Sequence, residues 1–159
     1  MTIMKKKIVK IISGGQTGAD RGGLDAAIKL NIPHGGACPR KRIAEDGVIP
    51  EKYNMHELFS FSYAHRTEQN VIDSDMTLIF SFGFPGGGSA LTVDLAAKHS
   101  KAYLIVDLNN EDKLIVEKIK ERITGISLDE IILNIAGSRE STSPGIAERV
   151  SAIMIEVLK

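Results

Sequence analysis

Short apolar runs alternate along the chain with amphipathic stretches, and polar or glycine-rich turns separate them. Residues 8–12 (IVKII) predict a first strand, stopped by Gly14 and Gly15. A helix over 18–30 follows, with Leu24, Ala27, Ile28 and Leu30 as its apolar positions. Gly22 and Gly23 in its first turns cost about 1 kcal/mol each against alanine. Close packing on a sheet, or approach of a ligand to the backbone, would justify that cost. Residues 63–74 read as a helix with Arg66, Asn70 and Asp73 on one face. Residues 76–82 (MTLIFSF) are the clearest central strand, and the helix over 89–99 carries Leu91, Leu95 and Ala96 on one side. Residues 103–107 (YLIVD) predict another strand. Asn110 is placed to cap the next helix, Leu114, Ile115, Ile119 and Ile123 form its stripe, and Gly125 ends it. Residues 130–136 are the last strand. Ser143 and Pro144 suit a cap followed by proline at the first position of a final helix lined by Ile146, Val150, Ile153 and Val157.

Strands alternating with helices imply an α/β fold: a single Rossmann-like, doubly wound domain over 1–159, with a mainly parallel five-stranded sheet and helices on both faces. Connections should be right-handed. Residues 39–59 break this rhythm. They are mixed, polar and interrupted by Pro50, and so predict either a functional loop or lid or a surface excursion.

Three glycine-rich turns stand where strands hand over to helices: SGGQTGADRGG (13–23), FPGGGSALT (84–92) and AGSRESTSPG (136–145). In a parallel sheet such turns gather at the carboxyl edge of the strands, where helix N-termini offer N–H groups to anions. The first is neither a Walker A loop nor G-x-G-x-x-G, and residues 35–38 end without the acid that would hold a ribose, which argues against a conventional dinucleotide dehydrogenase. It is an anion-binding turn with Gln16, Thr17 and Asp20 for polar contacts, or a tight turn chosen for backbone geometry alone. In the second, three glycines let N–H groups approach an anion, and Ser89 and Thr92 add hydroxyls. In the third, Arg139 lies between Ser138 and Ser141 and can grip phosphate; Arg21, Arg40 and Arg66 could do likewise.

Composition narrows the classes. Lys+Arg and Asp+Glu both total 20, and a formal net charge of zero argues against a protein whose main work is holding nucleic acid. Cys38 is the only cysteine, so no internal disulfide forms and a reducing, cytoplasmic setting is expected. No apolar run approaches the length of a membrane span, and 8–12, broken by Lys10, is too short for a signal-peptide core. His34, His56, His65 and His99 lack zinc-ligand spacing, and Cys38 reads as a small core residue before a nucleophile.

Taken in order, SGGQTGADRGGLDAA, CPR…AEDGVIP, RTEQNVIDSD, GGGSALT and AGSRESTSPGI resemble the molybdenum carrier family of the Rossmann-like SLOG superfamily, which also holds DprA-type and lysine-decarboxylase-like proteins. The resemblance implies a carrier of molybdenum cofactor, a pterin with a phosphate and a metal-holding dithiolene; wider kinship implies ligands derived from nucleotides, and self-association. By the same resemblance Gly14, Gly15, Gln16, Thr17, Gly18 and Asp20, with Arg21 beside them, form the first ligand loop. Arg40, Glu45 and Asp46 sit on a flap, and Arg66, Thr67 and Asn70 on the facing helix. Gly86, Gly87, Ser89 and Thr92 make the central loop, and Ser138, Arg139 and Ser141 the last. Any metal arrives bound to the pterin, and the partner is a small molecule. Phosphoribohydrolase relatives use P-G-G-x-G-T-x-x-E. Here PGGGSALTVD lacks the threonine after the last glycine and places its acid, Asp94, one position further on. Hydrolysis of a nucleoside monophosphate is therefore the second reading, with Asp94 or Asp20 as acid and Arg139 or Arg66 as phosphate clamp.

Overall fold

A computed structural model describes residues 7–159. Five parallel strands form the central sheet in the order β2-β1-β9-β7-β8. These are β1 (Lys7–Ile12), β2 (His34–Gly35), β7 (Met76–Ser81), β8 (Ala102–Asp107) and β9 (Glu130–Gly137). Between β2 and β7 lie four two-residue strands, β3 (Ala37–Cys38), β4 (Ile43–Ala44), β5 (Gly47–Val48) and β6 (His56–Glu57). The helices are α1 (Ala19–Lys29), α2 (Tyr63–Asp73), α3 (Gly87–Lys98), α4 (Asp112–Thr124) and α5 (Ile146–Leu158). α5 packs against both α1 and α4, while α2 and α3 pack against each other, so helices cover both faces. The doubly wound α/β architecture follows the alternation of apolar runs.

All six residues of β7 are buried, as expected of an interior strand, yet the middle of the sheet is β9, with Leu133 beside both Ile11 and Met76. The glycines inside α1 answer to close packing: a Cβ on Gly22 would lie 2.5 Å from the Ala147 carbonyl oxygen, and one on Gly23 2.6 Å from Ile135. The stripes of α4 and α5 are buried as expected at Ile115, Ile119, Ile123, Ile146, Val150, Ile153 and Val157, but Leu114 is exposed.

Two helix starts differ from expectation. Glu111, not Asn110, is the N-cap of α4, because the Asn110 amide turns back to the Asp107 carbonyl at 3.2 Å. Gly145 is the N-cap of α5 at φ 89°, so Pro144 stays outside the helix. The Glu140 carboxylate takes the Gly145 and Ala147 N–H groups instead, a charged cap at the positive end of the helix.

The 39–59 excursion is ordered by its own contacts. β3 pairs with β6 and β4 with β5. The Arg42 guanidinium holds the carbonyls of Ile49, Pro50 and Tyr53 at 2.8–3.2 Å. Ile49 and Tyr53 pack with Leu24 and Cys38 into a small second core. Cys38 is fully buried and its thiol is pushed up by that burial, which suits a packing residue.

Candidate functional site

Because β1 and β9 pass to α1 and α5 on one face while β7 passes to α3 on the other, their carboxyl ends part and leave a crevice, the usual ligand position in such sheets. The cleft there has a volume of about 570 Å³, ordinary for a small-molecule site. Its floor is Asn134–Gly137 of β9, and its walls come from the three glycine turns and the first turns of α2. Of the expected residues, Gly14, Gln16, Asp20, Arg66, Thr67, Asn70, Gly86, Gly87, Ser89, Thr92, Ser138, Arg139 and Ser141 line it. Gly15, Thr17, Gly18, Arg21, Arg40, Glu45 and Asp46 do not.

The first turn is packed shut. A Cβ on Gly18 (φ 84°) would sit 2.3 Å from the Ser138 carbonyl oxygen, and one on Gly14 2.3 Å from Arg66. Arg66 is 8% exposed, donates to the Gly14 carbonyl at 2.9 Å and lies 3.8 Å from the Asp20 carboxylate. Asp20 also accepts the Gln16 N–H at 3.2 Å. Burial outweighs the attraction of Arg66 and Arg21 and pushes the Asp20 carboxyl up to about 6. Arg21 is spent on a two-pronged pair with Asp46 at 2.6 and 2.8 Å and on the Gly15 carbonyl.

Glu45 joins the first turn to the third. Its carboxylate accepts from the Thr17 hydroxyl and from the Ser141 hydroxyl and N–H. The Ser141 and Thr17 hydroxyl bonds hold it below the usual carboxylate range. The donors that the sequence offers a ligand at Thr17 and Ser141 therefore already carry an anion from within the chain. Gln16 completes the clasp: its Oε1 accepts the N–H groups of Thr17 at 3.1 Å and Glu45 at 2.9 Å. Those two donors fix the amide orientation, and Nε2, itself buried, has no partner among the described residues. An orphaned buried donor costs about 1–3 kcal/mol.

The second turn is the reverse. Gly86, Gly87 and Gly88 are exposed, and a Cβ on any of them would meet nothing within 4 Å. They open α3, whose N-cap Gly86 supplies no side-chain bond, so the N–H groups of Gly87 and Gly88 stay available to an anion. On the same cleft lining, the Arg139 guanidinium makes no hydrogen bond or ion pair among the described residues and rests on the Tyr63 ring, 5.1 Å from its centroid. Arg66 lies 5.2 Å from the same ring.

Other expected positions are occupied structurally. The Asn70 side chain pairs with both backbone groups of Ala37, at 2.7 and 3.0 Å, and so holds α2 to β3. Thr67 and Thr92 bond back to their own helices. Arg40 stacks on Phe61 outside the cleft, and Asp94 is exposed on α3 and off the cleft lining. Tyr63, Phe82, Phe84 and Asn134 also line the cleft. Only Phe84, inside FPGGGSALT, had a motif to mark it. Among the described residues no group of three His, Cys, Asp or Glu side chains could hold a metal ion, and no helix is long and apolar enough to cross a membrane.

Residues 11–158 match the model of the circularly permutated YpsA SLOG family. The chain is similar to a solved structure named "Putative molybdenum carrier protein", from Syntrophus aciditrophicus SB, with 43% identity over 98% of each chain and a TM-score of 0.93. No curated protein matches. A match across almost the whole described chain shows that it belongs to the circularly permutated YpsA branch of the SLOG family.

Proposed function

We propose that the chain binds a phosphate-bearing small ligand in the cleft at the carboxyl edge of the sheet, as a carrier of molybdenum cofactor or a sensor of a nucleotide-derived ligand. The observation that carries this is a pair of unspent anion donors on the lining of one cleft: the open N-terminus of α3 at Gly86–Gly88, and Arg139, which has no hydrogen-bond or ion-pair partner among the described residues. The name of the similar Syntrophus protein supports the carrier form of the reading. The chain's residues fit such a cargo. The glycine cradle would take the phosphate, and Arg139, resting on the Tyr63 ring, would pair with its charge. The metal would come with the pterin, as part of the cargo.

Native mass spectrometry of protein purified from a host that makes molybdenum cofactor tests this. An intact pterin or nucleotide adduct is expected, and Arg139→Ala should lower affinity for it about 10- to 100-fold, the worth of one charged hydrogen-bonding group. A bare protein mass, or an affinity unmoved by Arg139→Ala, would sink the reading.

One observation favours a second reading, hydrolysis of a nucleoside monophosphate. The Asp20 carboxyl at about 6 is in the range of a proton-transferring group at neutral pH. Release of free base at high protein concentration, lost in Asp20→Asn, would establish it; no release from any common monophosphate would remove it.

A further inference from the structure

We propose that Asn134, on the floor of the cleft, selects the ligand's ring by accepting a hydrogen bond from it, so that the ligand is a phosphorylated nitrogen heterocycle with an N–H or amino group on its edge. This rests on the reading of the cleft as a phosphate-ligand site, and it adds which ring chemistry the floor takes. Asn134 lies in β9, the middle strand, between Leu133 and Ile135, which turn to the opposite face and are fully buried in the main apolar core. On its own face Asn134 stands beside Thr77 of β7, and Nδ2 donates to the Thr77 hydroxyl at 3.2 Å. Oδ1 has no hydrogen-bond partner among the described residues, yet it is not sealed off as Gln16 Nε2 is. The residue is only 3% exposed and lines the cleft, so the surface that Oδ1 keeps opens into it. A buried carboxamide costs stability unless its polar atoms are bonded, and an apolar side chain would suit a central parallel strand better. Polar side chains on the cleft walls are spent within the chain: Asn70 on the Ala37 backbone, Thr67 on the Tyr63 carbonyl and Thr92 on the Gly88 carbonyl. The acceptor on the floor is left for the ligand. Gly87 and Gly88, exposed at the start of α3, line the same cleft, so a ligand held there by its phosphate can set its ring on Asn134.

The probes are guanosine monophosphate, whose ring edge carries N–H and amino donors, purine riboside monophosphate, whose ring nitrogens only accept, and ribose 5-phosphate, which lacks the ring. Titration calorimetry should show guanosine monophosphate binding about tenfold or more tighter than either of the others. Asn134→Leu removes the acceptor at similar size and should bring the preference for guanosine over purine riboside close to one, while ribose 5-phosphate binding changes less than about threefold. Thr77→Val breaks the same internal bond from a residue off the cleft lining, and should keep most of the preference. The comparison of the two nucleotides on the unaltered protein stands even if a variant fails to fold. Equal binding of all three probes, a preference that survives Asn134→Leu, or one lost as fully in Thr77→Val, would overturn this inference and leave the phosphate site standing. Binding of none of them would overturn the cleft reading and this inference with it.

Discussion

The turn after β1 and the turn after β7 look alike in sequence, each glycine-rich and each opening a helix, but they put their glycines to opposite uses. At Gly14 and Gly18 the missing side chain is already filled by protein, Arg66 in one case and the Ser138 backbone in the other. At Gly86, Gly87 and Gly88 it is filled by nothing. The first turn spends its Gln16 N–H and Thr17 hydroxyl internally, on Asp20 and Glu45, whereas the second leaves the start of α3 bare. A glycine-rich turn thus marks either close packing or close ligand approach, and what a Cβ would meet tells the two apart.

The comparison predicts opposite responses to the same substitution. Gly18→Ala puts a methyl group 2.3 Å from the Ser138 carbonyl oxygen at a φ of 84°. A backbone clash combined with a strained conformation should cost about 4 kcal/mol, seen as a fall in Tm of roughly 10 °C or more. Gly88→Ala meets open space at a helical position without positive φ, and should stabilise the protein by about 0.5–1 kcal/mol. The same methyl group would occupy the anion cradle, so ligand affinity should fall as Tm rises. If Gly88→Ala raised Tm and left affinity untouched, the second turn would be no ligand site.

A second test concerns the charge sealed into the first turn. The Asp20 carboxyl, at about 6 in the fold against an ordinary 3.8, holds its proton more tightly folded than unfolded. Its contribution to stability is therefore fully present below about pH 4 and is lost as pH rises through 6. Between pH 4.5 and 7.5 the loss from this group is about 2 kcal/mol. Asp20→Asn should flatten that part of the stability profile, measured by urea unfolding at the two pH values. An unaltered slope in the variant would mean that Arg66 holds Asp20 ionised throughout, and that the first turn is an ion pair rather than a site that takes up a proton.

The fold was legible because burial follows period: IVKII, MTLIFSF and YLIVD could only be strands, and the α4 and α5 stripes could only face a core. The site was legible as three turns but not as the division of labour among them. Glycine, arginine and hydroxyl residues look the same in sequence whether their donors are spent or spare. Arg21, Arg66 and Arg139 all stand at or opposite glycine turns, yet only pairing in space shows that Asp46 consumes the first, Gly14 and Asp20 engage the second, and the third remains available. Tyr63 and Asn134 joined the cleft through long-range packing that no local motif announces. Glu140 became the cap of α5 because Gly145 turns left-handed there, which a Ser-Pro pair does not reveal.

Glu45 offers the finest test, because it closes the first turn. Its carboxylate is exposed but takes two hydroxyls and one N–H, from Thr17 and Ser141, and the β4–β5 hairpin that carries it is also tied down by the Asp46–Arg21 pair. Exposed charged bonds contribute little, so Glu45→Ala should lower stability by only about 1 kcal/mol, or roughly 2–4 °C in Tm. The informative part is what the vacated donors do next. With the internal anion gone, Thr17 and Ser141 present hydroxyls and an N–H much as a phosphate site would. Inorganic phosphate should then restore more of the lost Tm in the variant than it adds to the unaltered protein. Equal shifts in both would confine the phosphate to α3 and Arg139. A larger shift in the variant would show that the first turn is an anion site filled by the protein's own carboxylate, and that the two turns differ in occupancy rather than in kind.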